Sequence, residues 1–473
     1  MSGIRGTSAR YAWSKATNTK EFLKLIQYSC KAHPNHLVKI IKKRAYRKPS
    51  IQTLLDAEDD RDALTVIREY FRQFYNDLED RRFSNLSNEF FKYLKNAFKY
   101  DQIDKRDGSI ISSIKDGNGN IITDPGEVNK QLLDTLKELQ IDENKPQPCN
   151  LKFPILDRKT PIEMKEILER LWNGKAIAWD GMTDSLFQKA WKERSALIFN
   201  DLWMNLNLIR NKHFESRLIP LNKIHPKIPS KKDMRPIVVN SPLVKLIEAG
   251  IMPNLSQYLI QNLHPGQTGF VSGNGIFVNI HRIIQRIRSR TLLGKRCFGV
   301  FIDFSSAYNT LDHQLLFQRL IPVIGEERTQ LIRALYSRIK LRLGKESIRP
   351  NQGVAQGSII SPALFNIYSE ELLLLLEKQG TSLEDLLGYA DDLCVICDNL
   401  EEVSKVIEVV RNWSKNNNMR LNEKKSGIVE FINRKMKRTL TQEIFQEFPV
   451  CPSYKYLGLQ LTNKLYDRTV KIY

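Results

Sequence analysis

Cysteine is scarce: six in 473 residues are too few for a disulfide scaffold and point to a reducing compartment. No apolar run approaches the ~20 residues needed to cross a bilayer, and the leucine run Leu372–Leu376 is short and flanked by glutamates. The opening stretch MSGIRGTSARYAWSK has no apolar core of a secretory signal. Glycine and proline, at 23 and 19, are too few for a collagen-like or low-complexity chain. Acid is short as well, since 53 Asp plus Glu face 73 Lys plus Arg, a formal charge of +20. Such an excess asks for a polyanionic partner, nucleic acid before membrane surface. Hydrophobic residues at 41% and aromatics at 9% are enough to build packed cores. Secreted, membrane-spanning and collagen-like classes are excluded. An intracellular protein without a membrane partner is expected, nuclear if the source is eukaryotic.

The first hundred residues read as helical and basic. From Lys39 to Lys48 the chain carries Lys42, Lys43, Arg44 and Arg47 with no acid among them. A solvated helix face or a nucleic-acid contact would both explain that cluster. Further basic clusters recur from Arg210 to Arg235 and from Arg282 to Arg296, the latter including Arg286, Arg288 and Arg290 without an acid. Several separated clusters favour nucleic acid.

Between residues 110 and 124 a Gly/Asn turn separates two Ile-rich arms and predicts a hairpin. Asp124, Pro125 and Glu127 then predict a helix start, and Thr160, Pro161 and Glu163 another, the second continuing through Trp172 toward Gly174. Further on, FGVFIDF reads as a buried strand, 356–377 as a helix, LLGYADDLCVIC as strand-turn-strand, 400–417 as a helix capped by Asn399 with Glu402, and GIVEF as a strand. This alternation suggests an α+β sheet of the ferredoxin-like kind.

Carboxylates break the apolar pattern in two places. Asp303 follows Val300, Phe301 and Ile302, while Asp391 and Asp392 adjoin between LLGYA and LCVIC. An aspartate pair in a turn can be ordinary turn chemistry. A third aspartate ending a neighbouring strand makes an oxygen-rich site suited to Mg²⁺, which takes carboxylates plus substrate phosphates. In a basic chain that points to metal-dependent phosphoryl transfer on nucleic acid, by a nucleotidyl transferase or a nuclease.

At these residues the chain resembles the reverse transcriptases of non-LTR (LINE-type) retrotransposons. YADD at 389–392, FIDFSSAYNTLDH at 301–313, GVAQGSIISPALFNIY at 353–368, LNEKKSGIVEF at 421–431 and YKYLGLQL at 454–461 stand in the family's order. Upstream, AWDGMTDSLFQKAW at 178–191 and IPLNKIHPKIPSKKDMRPIVV at 219–239 resemble fingers motifs, and GQTGFVSGNGIFVNI at 266–280 resembles an insertion shared with group II intron enzymes. The resemblance implies a right-hand polymerase. Its parts would be a basic helical RNA-binding extension over 1–107, fingers with palm elements over 108–297, a palm over 298–461 and the start of a truncated thumb over 462–473.

It also implies an RNA-directed DNA polymerase that copies element RNA into cDNA by target-primed reverse transcription, with template RNA, DNA primer and dNTPs as partners. Asp303, Asp391, Asp392 and the carbonyl of Phe304 would hold two Mg²⁺ ions, with Mn²⁺ as a possible substitute. Lys425 would protonate pyrophosphate, with Lys424 as its rival. Lys223 and Arg235 would grip the triphosphate, Lys223 having Lys227, Lys231 and Lys232 as rivals. Tyr308 would exclude a ribose 2′-OH, Gln356 and Gly357 would contact template and nucleotide, and Tyr456, Leu457 and Gly458 would grip the primer.

Asn309 and Ala355 depart from the family's usual Asp and Pro without touching a metal ligand. The short stretch after Gly458 suggests a fragment or a truncated gene. Rival expectations are a group II intron-type reverse transcriptase or maturase and a catalytically idle RNA-binding protein. Cys394 and Cys397 read as core rather than zinc ligands, Cys30, His33 and His36 as structural, His313 as a motif residue lacking a proton-transfer partner, and Ser358 as a turn or capping residue.

Overall fold

An uninterrupted apolar run belongs inside a sheet covered on both faces, and Cys297–Ile302 forms such a strand (β1), buried along its whole length. Before it runs helix α1 (Ile276–Leu292). After it come α2 (Ala307–Thr310), α3 (His313–Ile324), α4 (Ser361–Lys378), strands β2 (Leu386–Tyr389) and β3 (Asp392–Cys397), helix α5 (Leu400–Asn416) and strand β4 (Gly427–Phe431). The four strands form one antiparallel sheet in the order β4-β1-β3-β2. With α4 between β1 and β2 and α5 between β3 and β4, this is the ferredoxin-like β-α-β-β-α-β plan expected from the sequence.

The computed structural model describes residues 110–171, 176–179, 181, 184, 196–432 and 438–463. Lys42, Lys43, Arg44 and Arg47, the triad of Cys30, His33 and His36, and Trp172 to Gly174 lie outside the described residues. So does most of the stretch expected to begin a thumb. The chain gathers into two units that interleave in sequence. Of the described residues, one holds those up to Val128, within Asn150–Gly250 and Ala334–Ser347; the other holds Asn129–Cys149, Ile251–Arg333 and those from Ile348 onward.

In the second unit, one face of the sheet presents Cys297, Phe301, Cys394, Ile396, Val429 and Phe431. Ile283 and Ile287 of α1 cover it together with Tyr456, Leu459 and Leu461. Those last residues belong to the hairpin of β5 (Ser453–Tyr456) and β6 (Leu459–Thr462). Helix α5 packs on β1 and β3, and its Trp413 meets the Phe304 ring edge-on at 5.9 Å. Asn399 caps α5 by accepting the Glu402 N–H at 2.9 Å, as expected. Helix α4 starts at Ser361 and not at 356, because Gly357 takes a φ of 119° that no helix accepts and Pro362 suits only a first turn. Cys394 and Cys397 are three apart in β3, so they point to opposite faces, and both are buried.

In the first unit, the predicted hairpin is present as Ile114–Lys115 paired with Ile121–Ile122, and its turn is organised by Asp116, whose carboxylate accepts the N–H of Asn118 and Asn120. Both predicted helix starts are there too. Asp124 accepts the Glu127 N–H at 2.8 Å, and Thr160 with Glu163 closes a complete capping box. Strand Glu215–Asn222 pairs antiparallel with Met234–Val239 and parallel with Lys340–Leu343.

His213 of this unit is 2% exposed. Burial, then the charges of Lys212 and Arg210, lowers its imidazole to about 3. The unfolded chain therefore takes a proton below pH 6.5 that the fold refuses, so stability is full above that pH and declines as pH falls. The expected loss from this one group is about 2 kcal/mol between pH 8 and pH 5. Urea unfolding at pH 8, 6.5 and 5 checks it: His213→Leu should shrink the acid loss by that amount, and an unchanged slope would assign the loss to other groups.

Candidate active site

The register of the sheet decides which carboxylates meet. Ile302 at the end of β1 faces Leu393 of β3, so the next positions on the two strands are Asp303 and Asp392. Tyr389 pairs with Asp392 across the β2–β3 hairpin, leaving Ala390 and Asp391 as its two-residue turn. Three aspartates far apart in sequence thus share one sheet end. Burial, then the charge of Asp303, raises the Asp391 carboxyl above the usual carboxylate range. Asp392 is exposed as a residue, yet protein crowds its carboxyl. That desolvation, with the charges of Asp391 and Asp303, pushes it up to about 6. Negative charge at Asp303 thus makes Asp391 harder to ionise, and the two together do the same to Asp392.

Among the described residues no lysine or arginine forms an ion pair with any of the three, and no three His, Cys, Asp or Glu side chains are drawn together as a closed metal-binding group. Even so, the donor set suits a divalent cation. The three groups are hard oxygen donors on adjoining strand ends, and their mutual repulsion is the kind a cation relieves.

Asp303 is held from several sides. Its backbone N–H donates to Ser426 Oγ at 3.0 Å, its carbonyl accepts the Asn422 N–H at 2.9 Å, and its Oδ2 accepts from Asn422 Nδ2 at 2.9 Å. Neither Asn422 nor Ser426 was singled out from sequence, although both lie in LNEKKSG. Phe304 is fixed next door by its contact with Trp413. Tyr308 stacks on Phe365 of α4, ring centroids 4.9 Å apart and planes within 10°. Burial, then the charges of Asp391 and Tyr389, holds its phenol well above the usual range, so the hydroxyl stays neutral.

The segment leading to Gln356 is tied to α2 and the residue that follows it through two backbone bonds, Val354 N–H to Tyr308 O and Gly353 N–H to Leu311 O, both 2.6 Å. At Gly353 a Cβ would stand 2.5 Å from the Asn309 carbonyl oxygen, with φ already at +81°, so the close approach needs glycine. His313 donates from Nε2 to Gly353 O at 2.6 Å, which makes it a brace for this approach. Gln356 and Gly357 follow in the turn before α4, with Gly357 exposed.

The remaining candidates fall into distinct settings. Lys424 and Lys425 are both exposed in the loop before β4. In the first unit, Leu221 faces Arg235 across the strand pair and the Lys223 N–H bonds Asp233 O at 2.9 Å, so Lys223 and Arg235 lie on the same face of one hairpin. Tyr456 is 2% exposed and donates to Leu387 O at 2.6 Å, so its ring serves the core rather than a primer surface. Leu457 and Gly458 form the two-residue turn beyond it, with φ of 48° and 84°.

The arginines of α1 divide. Arg286 pairs with Asp385 at 2.9 Å and with Glu384, and Arg290 pairs with Asp385 at 2.7 Å and with Asp398. These two guanidiniums hold the helix to the turn before β2, a structural duty rather than the expected phosphate contact. Arg288 is exposed.

The family profile described as reverse transcriptase (RNA-dependent DNA polymerase) matches residues 224–461. Curated relatives include the transposon TX1 uncharacterized 149 kDa protein of Xenopus laevis, 24% identical over 65% of this chain and 25% of that protein. The RNA-directed DNA polymerase from mobile element jockey of Drosophila melanogaster is 23% identical over 69% of this chain and 37% of its own length. The Pol polyprotein of the type-1 retrotransposable element R2 of Popillia japonica is 28% identical over 56% and 39%. The chain therefore spans between a quarter and about two fifths of these relatives. Among solved structures, telomerase of Candida tropicalis in complex with a fragment of telomeric RNA aligns over 81% of this chain and 70% of that one, at 12% identity and a TM-score of 0.42. No helix among the described residues is long and apolar enough to cross a membrane.

Proposed function

From the premise that this chain belongs to the reverse transcriptase (RNA-dependent DNA polymerase) family, we propose that it extends a DNA primer on an RNA template as the polymerase of a non-LTR retrotransposon. The observation that carries this is the trio Asp303, Asp391 and Asp392 at one sheet end, where burial and neighbouring negative charge raise the carboxyls of Asp391 and Asp392. Asp303, Asp391, Asp392 and the Phe304 carbonyl would hold two Mg²⁺ ions, or Mn²⁺ in their place. Bound there, the ions supply positive charge to the attacking 3′-oxygen and to the leaving pyrophosphate.

The chain's own groups do the rest. Asn422 orients Asp303 through its carboxamide. Tyr308, stiffened by Phe365, walls the sugar side of the incoming nucleotide, and Gln356 with Gly357 meets the base and template. Lys223 and Arg235 grip the triphosphate, the guanidinium offering two parallel donors to phosphate oxygens. Lys425, with Lys424 beside it, donates a proton to the departing pyrophosphate. Leu457 and Gly458 touch the primer. Lys42, Lys43, Arg44, Arg47 and Arg288 follow nucleic-acid backbone, which makes binding strongly salt-dependent. The mobile-element relative named as an RNA-directed DNA polymerase supports an element RNA as the template, and target DNA would serve as the primer.

Primer extension on an RNA template with dNTPs and Mg²⁺ tests the proposal. Extension by the chain and none by Asp391→Asn/Asp392→Asn, with equal RNA affinity, is expected. RNA binding without extension by the unaltered chain would overturn it in favour of a binding module.

A further inference from the structure

The segment Pro265–Phe270 has no role in the chemistry above, yet it docks directly on the catalytic turn. Gly388 N–H donates to Gly266 O at 2.7 Å, and Thr268 N–H donates to Gly388 O at 2.9 Å. The segment thus continues the sheet beyond β2 for a few residues. That registration delivers one buried side chain, Gln267, 4% exposed, against Ala390 of YADD. Its Oε1 accepts the Ala390 N–H at 2.8 Å and the Gly269 N–H at 3.0 Å, and its Nε2 donates to Ala390 O at 3.1 Å. A single carboxamide therefore satisfies both main-chain polar groups of the residue that precedes the two aspartates.

Ala390 needs such a partner for two reasons. Its φ is +54°, left-handed, a conformation that costs a residue with a Cβ roughly 1–2 kcal/mol. It is also 8% exposed, and as the first turn residue of a two-residue hairpin its N–H and C=O lie outside the strand ladder. Buried without partners, each would cost about 1–3 kcal/mol.

The approach is built for this contact. A Cβ at Gly269 would stand 2.4 Å from the Ala390 nitrogen, and the Gly269 carbonyl is pinned by Asn366 Nδ2 of α4 at 2.6 Å. Only a side chain with a donor and an acceptor on one planar group, at glutamine's length, makes both bonds to Ala390.

We propose that Gln267 is a positioning residue for catalysis: its carboxamide clamps Ala390 in the left-handed conformation and so sets where Asp391 and Asp392 stand to receive metal. This rests on the polymerase function proposed above. The test compares the full chain with Gln267→Met, which keeps length and apolar bulk but makes neither bond. Expected for Gln267→Met are a fall in kcat of about 10²-fold, dNTP KM and RNA affinity within threefold, and about tenfold more Mg²⁺ for half-maximal rate. Adding Ala390→Gly should restore at least tenfold of the lost rate, because glycine holds that φ without the Cβ penalty. A residue that merely filled the core would move neither the metal requirement nor the glycine rescue.

Hydrogen exchange gives a readout independent of activity. The Ala390 and Asp391 amides should exchange more than tenfold faster in Gln267→Met while those of β1 are unchanged. Should Gln267→Met fail to fold, Gln267→Leu carries the same exchange measurement, since it too is apolar and makes neither bond to Ala390. A normal rate and metal requirement in Gln267→Met, beside an active wild type, would overturn the clamp. If the wild type extends no primer, the polymerase function fails and exchange alone decides: unchanged protection at Ala390 overturns the clamp, and lost protection upholds it.

Discussion

Asp303→Asn will lower primer extension by about 10³-fold or more, at least about 4 kcal/mol of transition-state stabilisation, while the protein stays folded. The amide is isosteric with the carboxylate, and its oxygen can still accept from Asn422 Nδ2, which now donates to Asp303 Oδ2 at 2.9 Å. The backbone bonds of residue 303 to Ser426 and Asn422 do not involve the side chain. What disappears is one negative charge beside two carboxyls that it raises, Asp391 and Asp392, the latter pushed up to about 6. Without metal the variant should melt at the wild-type temperature or slightly above it, because the remaining aspartates repel less. With Mn²⁺ or Mg²⁺ the wild type should gain thermal stability and the variant little or none. Extension assays paired with melting curves, with and without metal, check both halves. Retained extension, or an equal metal-dependent gain in the variant, would remove Asp303 from the metal site.

Tyr308→Val should raise the ratio of ribonucleotide to deoxynucleotide incorporation by about 10²-fold, with dNTP incorporation reduced far less. A wall that rejects one added hydroxyl discriminates by about that factor, and it does so only if it is stiff. Tyr308 is stiff because its ring lies flat on Phe365 at 4.9 Å and its carbonyl accepts the Val354 N–H at 2.6 Å. Valine keeps the backbone arrangement and removes the ring. Tyr308→Phe separates size from hydroxyl chemistry: the phenol is held neutral beside Asp391, so phenylalanine should discriminate as tyrosine does. Single-nucleotide incorporation with dNTP and rNTP pairs measures the ratio. An unchanged ratio in Tyr308→Val would move the sugar gate to another residue.

What could be seen in the linear chain was written in short-range interactions. The run Cys297–Ile302 is apolar at every position, so its place inside a covered sheet follows from composition, and the polarity break at Asp303 marks its end. The caps at Asp124, Thr160 and Asn399 act across three residues, and all three are present. The helix expected from 356 begins at Ser361 because the conformation of Gly357, which the residue's name permits but does not dictate, is a tertiary outcome.

Partner choice across long separations was decided by the tertiary structure. Arg286 and Arg290 look like phosphate contacts in a stretch without acids, yet their carboxylates arrive from Asp385 and Asp398, 95 to 108 residues away. Tyr456 reads as a primer contact, and the sheet buries it against Leu387, 69 residues away. Gln267 and Asn422 carry neutral amides, which break no pattern and advertise no charge. Their bonds to Ala390 and Asp303 exist only once the strand order β4-β1-β3-β2 has formed. By itself the sequence determined which residue types could do chemistry at the strand ends. The fold decided which side chains hold those ends in place, because hydrogen-bond partners are chosen by strand register and sheet order rather than by nearness along the chain.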